Sequence, residues 1–274
     1  MGARKILFLA LLAASMAAFA NDASASQRRF TYTYESGVIA RGQVELEPWT
    51  TLRTGKEDYY TSFDQRIEFE VGLTSRLQTS FYLNLHSTTE MADSSLETDA
   101  GFDGVSNEWK LKLKDPVADP FGLGLYFEWG AASSEFELEG KVIVDKRAGN
   151  WLYAFNATAE PEWEFIPKDG TNETEANLEF KYEFNLAGTY FLNPSTSLGI
   201  EVRNHNLHIS SEDYDHSVLF AGPVVSYASE TWWATLTVLP QVAKLKGSAI
   251  DEGHDLVTSE LEKLEVRMIF GVDL

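Results

Sequence analysis

The chain of 274 residues contains no cysteine. This absence excludes disulfide frameworks, thiolate metal sites and cysteine nucleophiles together. Basic residues are also scarce, because 22 lysines and arginines stand against 42 aspartates and glutamates and give a formal charge of -20. Nucleic-acid binding needs a basic surface. The composition therefore argues against a nucleic acid as the partner.

Long hydrophobic runs are missing as well. Beyond the N-terminal region, no stretch approaches the roughly 18 apolar residues that a membrane-spanning helix requires. The one concentrated apolar run, residues 6–14, follows Arg4 and Lys5 and precedes Ala18, Phe19 and Ala20. A charged start, a short apolar stretch and an A-x-A-like site are typical of a secretory signal. We predict a signal peptide at 1–20, with cleavage after Ala25 as the second choice.

What the sequence has in abundance is alternation. From residue 43 to the end, about twelve segments of roughly 9 to 15 residues carry apolar side chains at every second position. One such segment sets Phe81, Leu83 and Leu85 against Tyr82 and Asn84. The connections between segments are alternately short, as at 74–76 and 193–196, and mostly long and polar, as at 87–104, 162–175, 205–216 and 243–260.

This rhythm predicts an all-β fold, a transmembrane antiparallel up-and-down β-barrel of about 12 strands with short periplasmic turns and long extracellular loops. A soluble sandwich would also alternate, but it gives no reason for connections that alternate in length. Large aromatics near segment ends predict interfacial girdles. They are Trp49, Tyr59, Tyr60, Trp129, Trp151, Trp163, Tyr190, Phe191, Tyr227, Trp232 and Trp233.

The predicted barrel occupies residues 43–274, and residues 21–42 are predicted to be a periplasmic N-terminal extension. A plug and an extra strand at the rim remain alternatives for that extension, which contains Phe30, Tyr32 and Tyr34. The inward-facing Gly122, Gly124 and Gly130 would make room for a substrate or for this segment. We expect a multi-pass protein of the Gram-negative outer membrane, in contact with lipid and lipopolysaccharide and inserted by the barrel-assembly machinery.

Several motifs carry a resemblance to a known family. They are Phe30-x-Tyr-x-Tyr-Glu35, Arg41-Gly42-Gln43-x-Glu45-x-Glu47-x-Trp49, Asn107-Glu108-Trp109-Lys110, Asp119-Pro120-Phe121-Gly122-Leu123, Gly222-Pro223, Trp232-Trp233-Ala234-Thr235-Leu236-Thr237 and Leu239-Pro240-Gln241. Together they resemble an uncharacterised family of bacterial outer-membrane barrels, whose members are labelled as proteins of unknown function or as transporters. The chain is similar, more loosely, to the barrels assigned to the phenol-degradation MetA pathway. The resemblance implies the fold and carries no catalytic residues.

The inward positions hold charges of both signs, which predict a network across the lumen. Its members are Arg66, Glu68, Glu70, Glu108, Lys110, Lys112, Glu139, Lys141, Glu179, Lys181, Glu201, Arg203, Glu265 and Arg267. Neighbouring acids and bases favour a narrowed lumen over a ring of like charge that selects ions. We expect Lys110 and Lys112 to face Glu68, Glu70 and Glu139.

Three classes of function remain open. We predict a passive pore or transporter for small solutes, hydrophobic ones included, with no cofactor and no enzymatic activity. A structural or adhesive barrel with a closed lumen is the first alternative. A lipid hydrolase is the second, because His208 and Ser210 share a face of the ninth segment and a histidine can activate a hydroxyl at that spacing. Acidic loops around Asp93, Asp213 and Asp251 could bind divalent cations, although solvated loops are the simpler interpretation.

Overall fold

The structure is a computed structural model, and it describes residues 27–92, 95–167, 174–209, 215–247 and 252–274. The predicted signal sequence lies outside these residues. Twelve strands are described: β1 (Val44–Thr54), β2 (Tyr60–Gly72), β3 (Leu77–Ala92), β4 (Ser95–Lys114), β5 (Gly122–Ala131), β6 (Glu135–Ala148), β7 (Trp151–Pro167), β8 (Thr174–Phe191), β9 (Thr196–Ile209), β10 (Asp215–Ala228), β11 (Trp232–Lys246) and β12 (Leu264–Asp273).

The strands form one closed antiparallel barrel. Each strand pairs with its sequence neighbours, and β1 pairs with β12 from Glu45 opposite Asp273 to Thr54 opposite Leu264. Closure leaves no unpaired sheet edge. Within the described ranges, no helix is long and apolar enough to cross a membrane. The predicted all-β up-and-down barrel of about 12 strands is confirmed.

The outer face of the barrel wall is apolar and the inner face is polar, as expected of a barrel in a membrane. On β3, Phe81 is 55% exposed on the outer face, whereas its neighbours Ser80 and Tyr82 are buried inside. On β8, Leu186 is exposed and Asn185 is buried. An apolar outer face and a polar inner face are what lipid on one side and a hydrated lumen on the other would select. The alternation in the sequence predicted these faces correctly.

The predicted long loops are mostly strand. β3 continues to Ala92 and β4 begins at Ser95, so the hairpin covers most of the loop expected at 87–104. The same holds for 162–175 and 205–216. Polar side chains can also pair across strands, as the hydroxyls of Thr89 and Thr98 do at 2.9 Å. Because such pairs stabilise a sheet, polar composition did not mark the end of a strand.

The two ends of the barrel differ. The end with connections such as 73–76 and 192–195 is called the short-turn end, and the opposite end, which carries residues 247–263, is called the loop end. The described part of that last connection, 252–263, folds back onto the barrel. The side-chain amide of Gln241 donates to the Val257 carbonyl at 2.9 Å and its oxygen accepts the Val257 N–H at 2.7 Å.

Candidate functional site: the barrel interior

Residues 27–42, hereafter the luminal segment, lie inside the barrel at its short-turn end. The Gln27 side-chain nitrogen donates to the Ser229 carbonyl at 3.5 Å, in the turn between β10 and β11. The segment leaves the lumen where the Gly42 N–H donates to the Gly72 carbonyl at 2.8 Å. Between these points Phe30 and Thr31 are fully buried. A periplasmic extension was predicted at 21–42, with a plug as one alternative. The described residues 27–42 lie as a plug would, and the bounds of the extension stay a prediction.

The physical reason lies in the polar inner wall, which supplies acceptors for a backbone that has no sheet partner. Glu201 accepts the backbone N–H groups of Thr31 at 3.0 Å, Tyr32 at 3.0 Å and Thr33 at 2.9 Å. The hydroxyl of Thr237 donates to the same carboxylate. A charged carboxylate that accepts several N–H groups forms strong hydrogen bonds. Glu201 is therefore the central attachment point of the luminal segment.

Two amide side chains complete the attachment. The Asn156 amide accepts the N–H of Tyr34 at 2.6 Å and donates to the Tyr34 carbonyl at 3.0 Å. The Gln78 oxygen accepts the N–H of Ile39 at 3.0 Å. Since buried backbone groups must be satisfied, these contacts take the place of a β-ladder. They come from β7, β9 and β3, so the segment is tied to several sides of the wall.

Aromatic and cationic side chains pack around the segment. The Arg28 guanidinium lies 4.1 Å from the ring centre of Tyr34 and 4.5 Å from that of Trp49, and the Arg267 guanidinium lies 3.9 Å from that of Tyr32. Cation–π contacts of this kind strengthen where water is excluded. Trp49 was predicted to belong to an interfacial girdle, and that prediction is wrong.

Trp233 is the second aromatic that the girdle prediction misplaced. Its indole N–H donates to Glu45 inside the lumen, while its neighbour Trp232 is on the outer face against Phe270. Adjacent residues of a strand point to opposite faces, so only one of the pair can meet lipid. Trp151 and Tyr190 do cluster on the outside, as predicted, together with Tyr153. Phe191, also predicted for the girdle, is instead buried in one apolar cluster with Phe30 of the luminal segment.

The small residues on β5 explain how the segment fits. A Cβ at Gly122 would lie 2.3 Å from the Ser36 hydroxyl oxygen, and one at Gly124 would lie 3.4 Å from the Ser36 Cα. Gly130 instead faces the Glu137 side chain. Two of the three inward glycines thus make room for the luminal segment, which is one of the two uses that the sequence left open.

A second layer closes the loop end on one side. Tyr32 of the luminal segment packs in one apolar cluster with Phe220, Leu239 and Val257. The cluster joins the luminal segment to the connection between β11 and β12. On the opposite side of the lumen, a cavity of about 400 Å³ remains, lined by Arg53, Asp64, Arg66, Asn84, Asp103 and Glu137 among others. The described interior is therefore filled at the short-turn end and partly open toward the loop end.

Much of the predicted charge network forms short-range pairs. Arg203 binds Glu183 at 2.5 Å and Glu265 at 2.7 Å. Lys181 pairs with Glu160 at 3.5 Å and with Glu162, and Lys141 pairs with Glu139. Arg66 pairs with Glu128 at 2.5 Å. Most of these pairs join the same or neighbouring strands between β6 and β9, whereas Arg203–Glu265 joins β9 to β12 and Arg66–Glu128 joins β2 to β5.

A second group of acids gathers on β1, β2 and β4. Glu45, Glu47, Glu68, Glu70 and Glu108, hereafter the glutamate cluster, are all buried. One oxygen each of Glu68, Glu70 and Glu108 lies within 4.8 Å of the others. The Tyr82 hydroxyl donates to this group and lies 2.8 Å from Glu68. Oxygen donors at this spacing could hold a hard cation.

Two predicted network members lie elsewhere than expected. Lys112 was expected to face Glu68, Glu70 and Glu139, but it lies at the short-turn rim, where its ammonium is 3.4 Å from Asp115. Glu139 is paired with Lys141. Lys110 is buried and interacts electrostatically with Glu70 and Glu108. The expectation that Lys110 lies near Glu70 therefore agrees with the structure. The remaining predicted residue, Glu179, is half-buried on β8 opposite Ile209.

Sequence reasoning missed several of the residues that matter. Glu45 and Glu47 were read as part of a family motif, although their i, i+2 spacing on a strand places both in the lumen. Gln78, Asn156 and Glu128 carried no charge pattern that singled them out. Their roles depend on which strand lies opposite, and strand order across a closed barrel is not visible in one strand's sequence.

The hydrolase alternative rests on a pair that is only half described. His208 is exposed and lies opposite Asp215 on β10 and Phe180 on β8. His208 is an even number of residues from Leu198 and Ile200, which are on the outer face. The strand alternation therefore places His208 on the same face. Ser210 lies outside the described residues, and so do Asp93, Asp213 and Asp251 of the acidic loops. The distance that catalysis would require therefore stays a prediction.

Solved structures with similar folds are outer-membrane barrels. The COG4313 outer membrane channel from Pseudomonas putida F1 aligns with a TM-score of 0.69 at 14% identity, over 89% of this chain and 100% of that one. The NanC porin aligns with a TM-score of 0.51 at 12% identity, over 84% and 100%. The translocator domain of the autotransporter NalP from Neisseria meningitidis aligns with a TM-score of 0.55 at 9% identity, over 84% and 87%.

At these identities the likeness establishes the fold and not the activity. No curated protein matches the chain in sequence. One family does match, over residues 22–274, and it is described as a family of unknown function (DUF6662). The expected membership of an uncharacterised outer-membrane barrel family is thereby confirmed, and the chain belongs to the DUF6662 family.

Proposed function

We propose that the protein is an outer-membrane channel for small solutes, hydrophobic ones included, and that its luminal segment is the gate. The observation that carries the proposal is a polar, twelve-stranded lumen filled by a segment of the chain that is not part of the wall. Eight strands can fill their lumen with wall side chains, whereas wider barrels leave an aqueous path. Twelve strands leave room that the luminal segment occupies.

The attachment of the segment supports a gate. Its backbone is bound by side chains of Glu201, Asn156 and Gln78, and such bonds can be exchanged for water one at a time. A segment that had become a thirteenth strand would have to break a continuous ladder. Release of residues 27–42 would connect the short-turn end with the cavity at the loop end.

The similar solved structures add support from fold alone. One is described as an outer membrane channel and another as a porin. Together with the predicted signal peptide, they favour a Gram-negative outer-membrane location, contact with lipid and lipopolysaccharide on the apolar face, and insertion by the barrel-assembly machinery.

A barrel closed for structural or adhesive purposes is the second candidate, because both ends carry inserted chain. Planar-bilayer recordings separate the two. The purified full-length protein is compared with a variant that lacks residues 28–40, and with a control that lacks residues 22–26. The channel proposal expects rare or small openings in the full-length protein and in the control, and a stable, larger conductance in the 28–40 deletion.

Heat-modifiable migration in gels confirms that each variant has folded as a barrel. A folded 28–40 deletion that conducts no more than the full-length protein would contradict the gate and favour the structural candidate. We also expect equal, background hydrolysis of a phospholipid ester by the wild type and by Ser210→Ala. Serine-dependent hydrolysis would instead support the enzymatic alternative.

A further inference from the structure

The glutamate cluster places like charges side by side in the wall. In the pairing of β1 with β2, Glu45 lies opposite Glu70 and Glu47 lies opposite Glu68. Oxygens of Glu45, Glu47 and Glu70 approach within 4.8 Å of one another, as do those of Glu68, Glu70 and Glu108. Facing like charges on neighbouring strands are destabilising. The arrangement needs a compensating positive charge.

Burial makes that need stronger. The five side chains are between 1% and 4% exposed, so water screens them little. The positive groups that act on them include Arg28 of the luminal segment, which acts on Glu47 and Glu68, and Lys110, which acts on Glu70 and Glu108. The carboxylates also repel one another across the cluster. Buried ions without balancing partners are costly, so either protons or a bound cation must lower the charge.

The unused oxygen atoms indicate where a cation would bind. Glu47 Oε2, Glu68 Oε2 and Glu108 Oε1 are buried and accept no hydrogen bond from any residue that the structure describes. Each belongs to a carboxylate whose charge already needs a partner. A carboxylate offers acceptor sites only, so a proton donor or a metal must fill them.

A neutral oxygen provides an independent sign of the same site. Ser80 on β3 is opposite Glu70 on one side and Glu108 on the other. Its side chain is 0% exposed, and its hydroxyl oxygen has no hydrogen-bond partner within the described part of the chain. It shares the inner face with both carboxylates, since the residue after it, Phe81, is on the outer face. An unpaired buried hydroxyl between two acids is what a missing ligand would leave.

We propose that Glu68, Glu70, Glu108 and the Ser80 hydroxyl bind a calcium ion inside the barrel wall. All the ligands are oxygen atoms, which hard divalent cations prefer. Calcium accepts a protein-rich, irregular set of six to eight oxygens, whereas magnesium gives up its water reluctantly. The Tyr82 hydroxyl positions Glu68 and Glu108, and Glu47 adds a further oxygen on the β1 side.

The site has an approach route and a link to the luminal segment. On β2, Asp64 and Arg66 line the cavity at the loop end, and Glu68 and Glu70 follow on the same face, deeper in the wall. Gln78 donates to Glu70 and accepts the Ile39 N–H at 3.0 Å. Calcium bound at Glu70 would therefore fix the amide that attaches the luminal segment, so that the ion stabilises the closed lumen.

Calcium binding to the full-length protein tests the proposal without any conductance measurement. The detergent-solubilised protein is stripped with EGTA, dialysed and titrated with Ca²⁺ by calorimetry, with Mg²⁺ as competitor. We expect one saturable Ca²⁺ per chain and a higher unfolding temperature in its presence. Glu108→Gln should weaken binding by about tenfold or more, as losses around metal sites do. Ser80→Ala should also weaken it measurably.

The control is Glu183→Gln, which alters an interior acid that is already paired with Arg203 on the other side of the lumen. It should bind Ca²⁺ like the wild type. If Glu108→Gln does not fold, Ser80→Ala decides, because it removes one hydroxyl and no charge. Absence of saturable Ca²⁺ binding in the wild type, or unchanged affinity in folded Ser80→Ala and Glu108→Gln, would overturn the site.

Discussion

The two sides of the lumen have the same strand alternation, but their inward-facing acids have different partners. From β6 to β12, bases join several of the acids: Arg203 binds Glu183 and Glu265, and Lys181 binds Glu160 and Glu162. On β1 and β2, acids face acids across the strand pairing, and Glu108 of β4 lies close to Glu68 and Glu70. Both sets point into the lumen, but the glutamate cluster is more deeply buried than the pairs around Lys181 and Arg203. The two sides therefore differ in the partners of their acids and in burial.

The comparison distinguishes structural charges from functional charges within the same barrel wall. Paired charges satisfy each other and hold neighbouring strands together without needing anything from outside. Acids that crowd against one another weaken the barrel unless something offsets their repulsion, and natural proteins keep such conflicts at functional sites. We therefore expect the paired side to stabilise the barrel and the glutamate cluster to respond to protons or cations.

The largest effect is expected on the paired side. Arg203→Ala would leave Glu183 and Glu265 without the guanidinium that joins them. Removing one member of a buried ion pair costs about 3 kcal/mol, because the other charges stay buried. Urea unfolding of the barrel in detergent, followed by gel migration and circular dichroism, measures the change. A loss below about 1 kcal/mol would mean that the paired side is as well hydrated as a surface.

A smaller effect concerns the luminal segment, which lies between the two sides. Burial raises the pKa of Glu35 to about 7, with Asp145 acting in the same direction and Arg29 and Arg28 opposing. A raised pKa means that the docked segment holds a proton that the released segment gives up. Docking should therefore be strongest below pH 4.5 and weaken as the pH rises through 7.

The measurement is the open probability in planar bilayers between pH 5 and pH 8. We expect it to rise with pH in the wild type and to change less in Glu35→Gln, which carries no titrating carboxyl at this position. The other luminal acids are the same in both proteins, so the difference between the two profiles isolates Glu35. An identical pH profile would rule out the effect.

The smallest effects separate two lysines that the sequence treated as one unit. Lys110→Ala removes a buried positive charge that acts on Glu70 and Glu108, so the glutamate cluster becomes more negative. In the variant without residues 28–40, it should shift the reversal potential in a KCl gradient toward cation selectivity. Rings of acids favour cations in channels.

Lys112→Ala is the matched control. Its ion pair with Asp115 is exposed at the rim, and such pairs contribute at most about 1 kcal/mol. We expect an unchanged reversal potential and unchanged stability. A shift as large as that of Lys110→Ala would show that the rim, and not the glutamate cluster, sets the selectivity.

The sequence predicted the barrel because the period of alternation is local and survives in every strand. It placed Arg66, Glu68, Glu70 and Lys110 in the lumen for the same reason. It could not predict which charges meet, since Arg66 reaches Glu128 three strands away. It also misjudged Trp49 and Trp233, whose size suggested lipid while their strand parity dictated the lumen. For both residues, position in the strand alternation predicted the face better than side-chain size did.

The conformation of the luminal segment is the second feature that could not be predicted from the sequence. Its sequence contains Phe30, Tyr32 and Tyr34 at alternate positions, which is the pattern of a strand, yet it is assigned to none. The inner wall offers carboxylate and amide acceptors to its backbone, and these compete with sheet formation. Only the three-dimensional arrangement of Glu201, Asn156 and Gln78 reveals that outcome.

The gate can be tested most directly by locking it. A Cβ at Gly124 would lie 3.5 Å from the Cβ of Ser36, a separation that suits a disulfide. The native chain contains no cysteine, so the two introduced cysteines have no competing partner. Ser36→Cys with Gly124→Cys is recorded in planar bilayers before and after reduction, with each single variant as control. The gate predicts that the oxidised double variant stays closed and that reduction restores openings like those of the wild type. Equal currents in the oxidised and reduced protein, with the disulfide verified by mass, would contradict it.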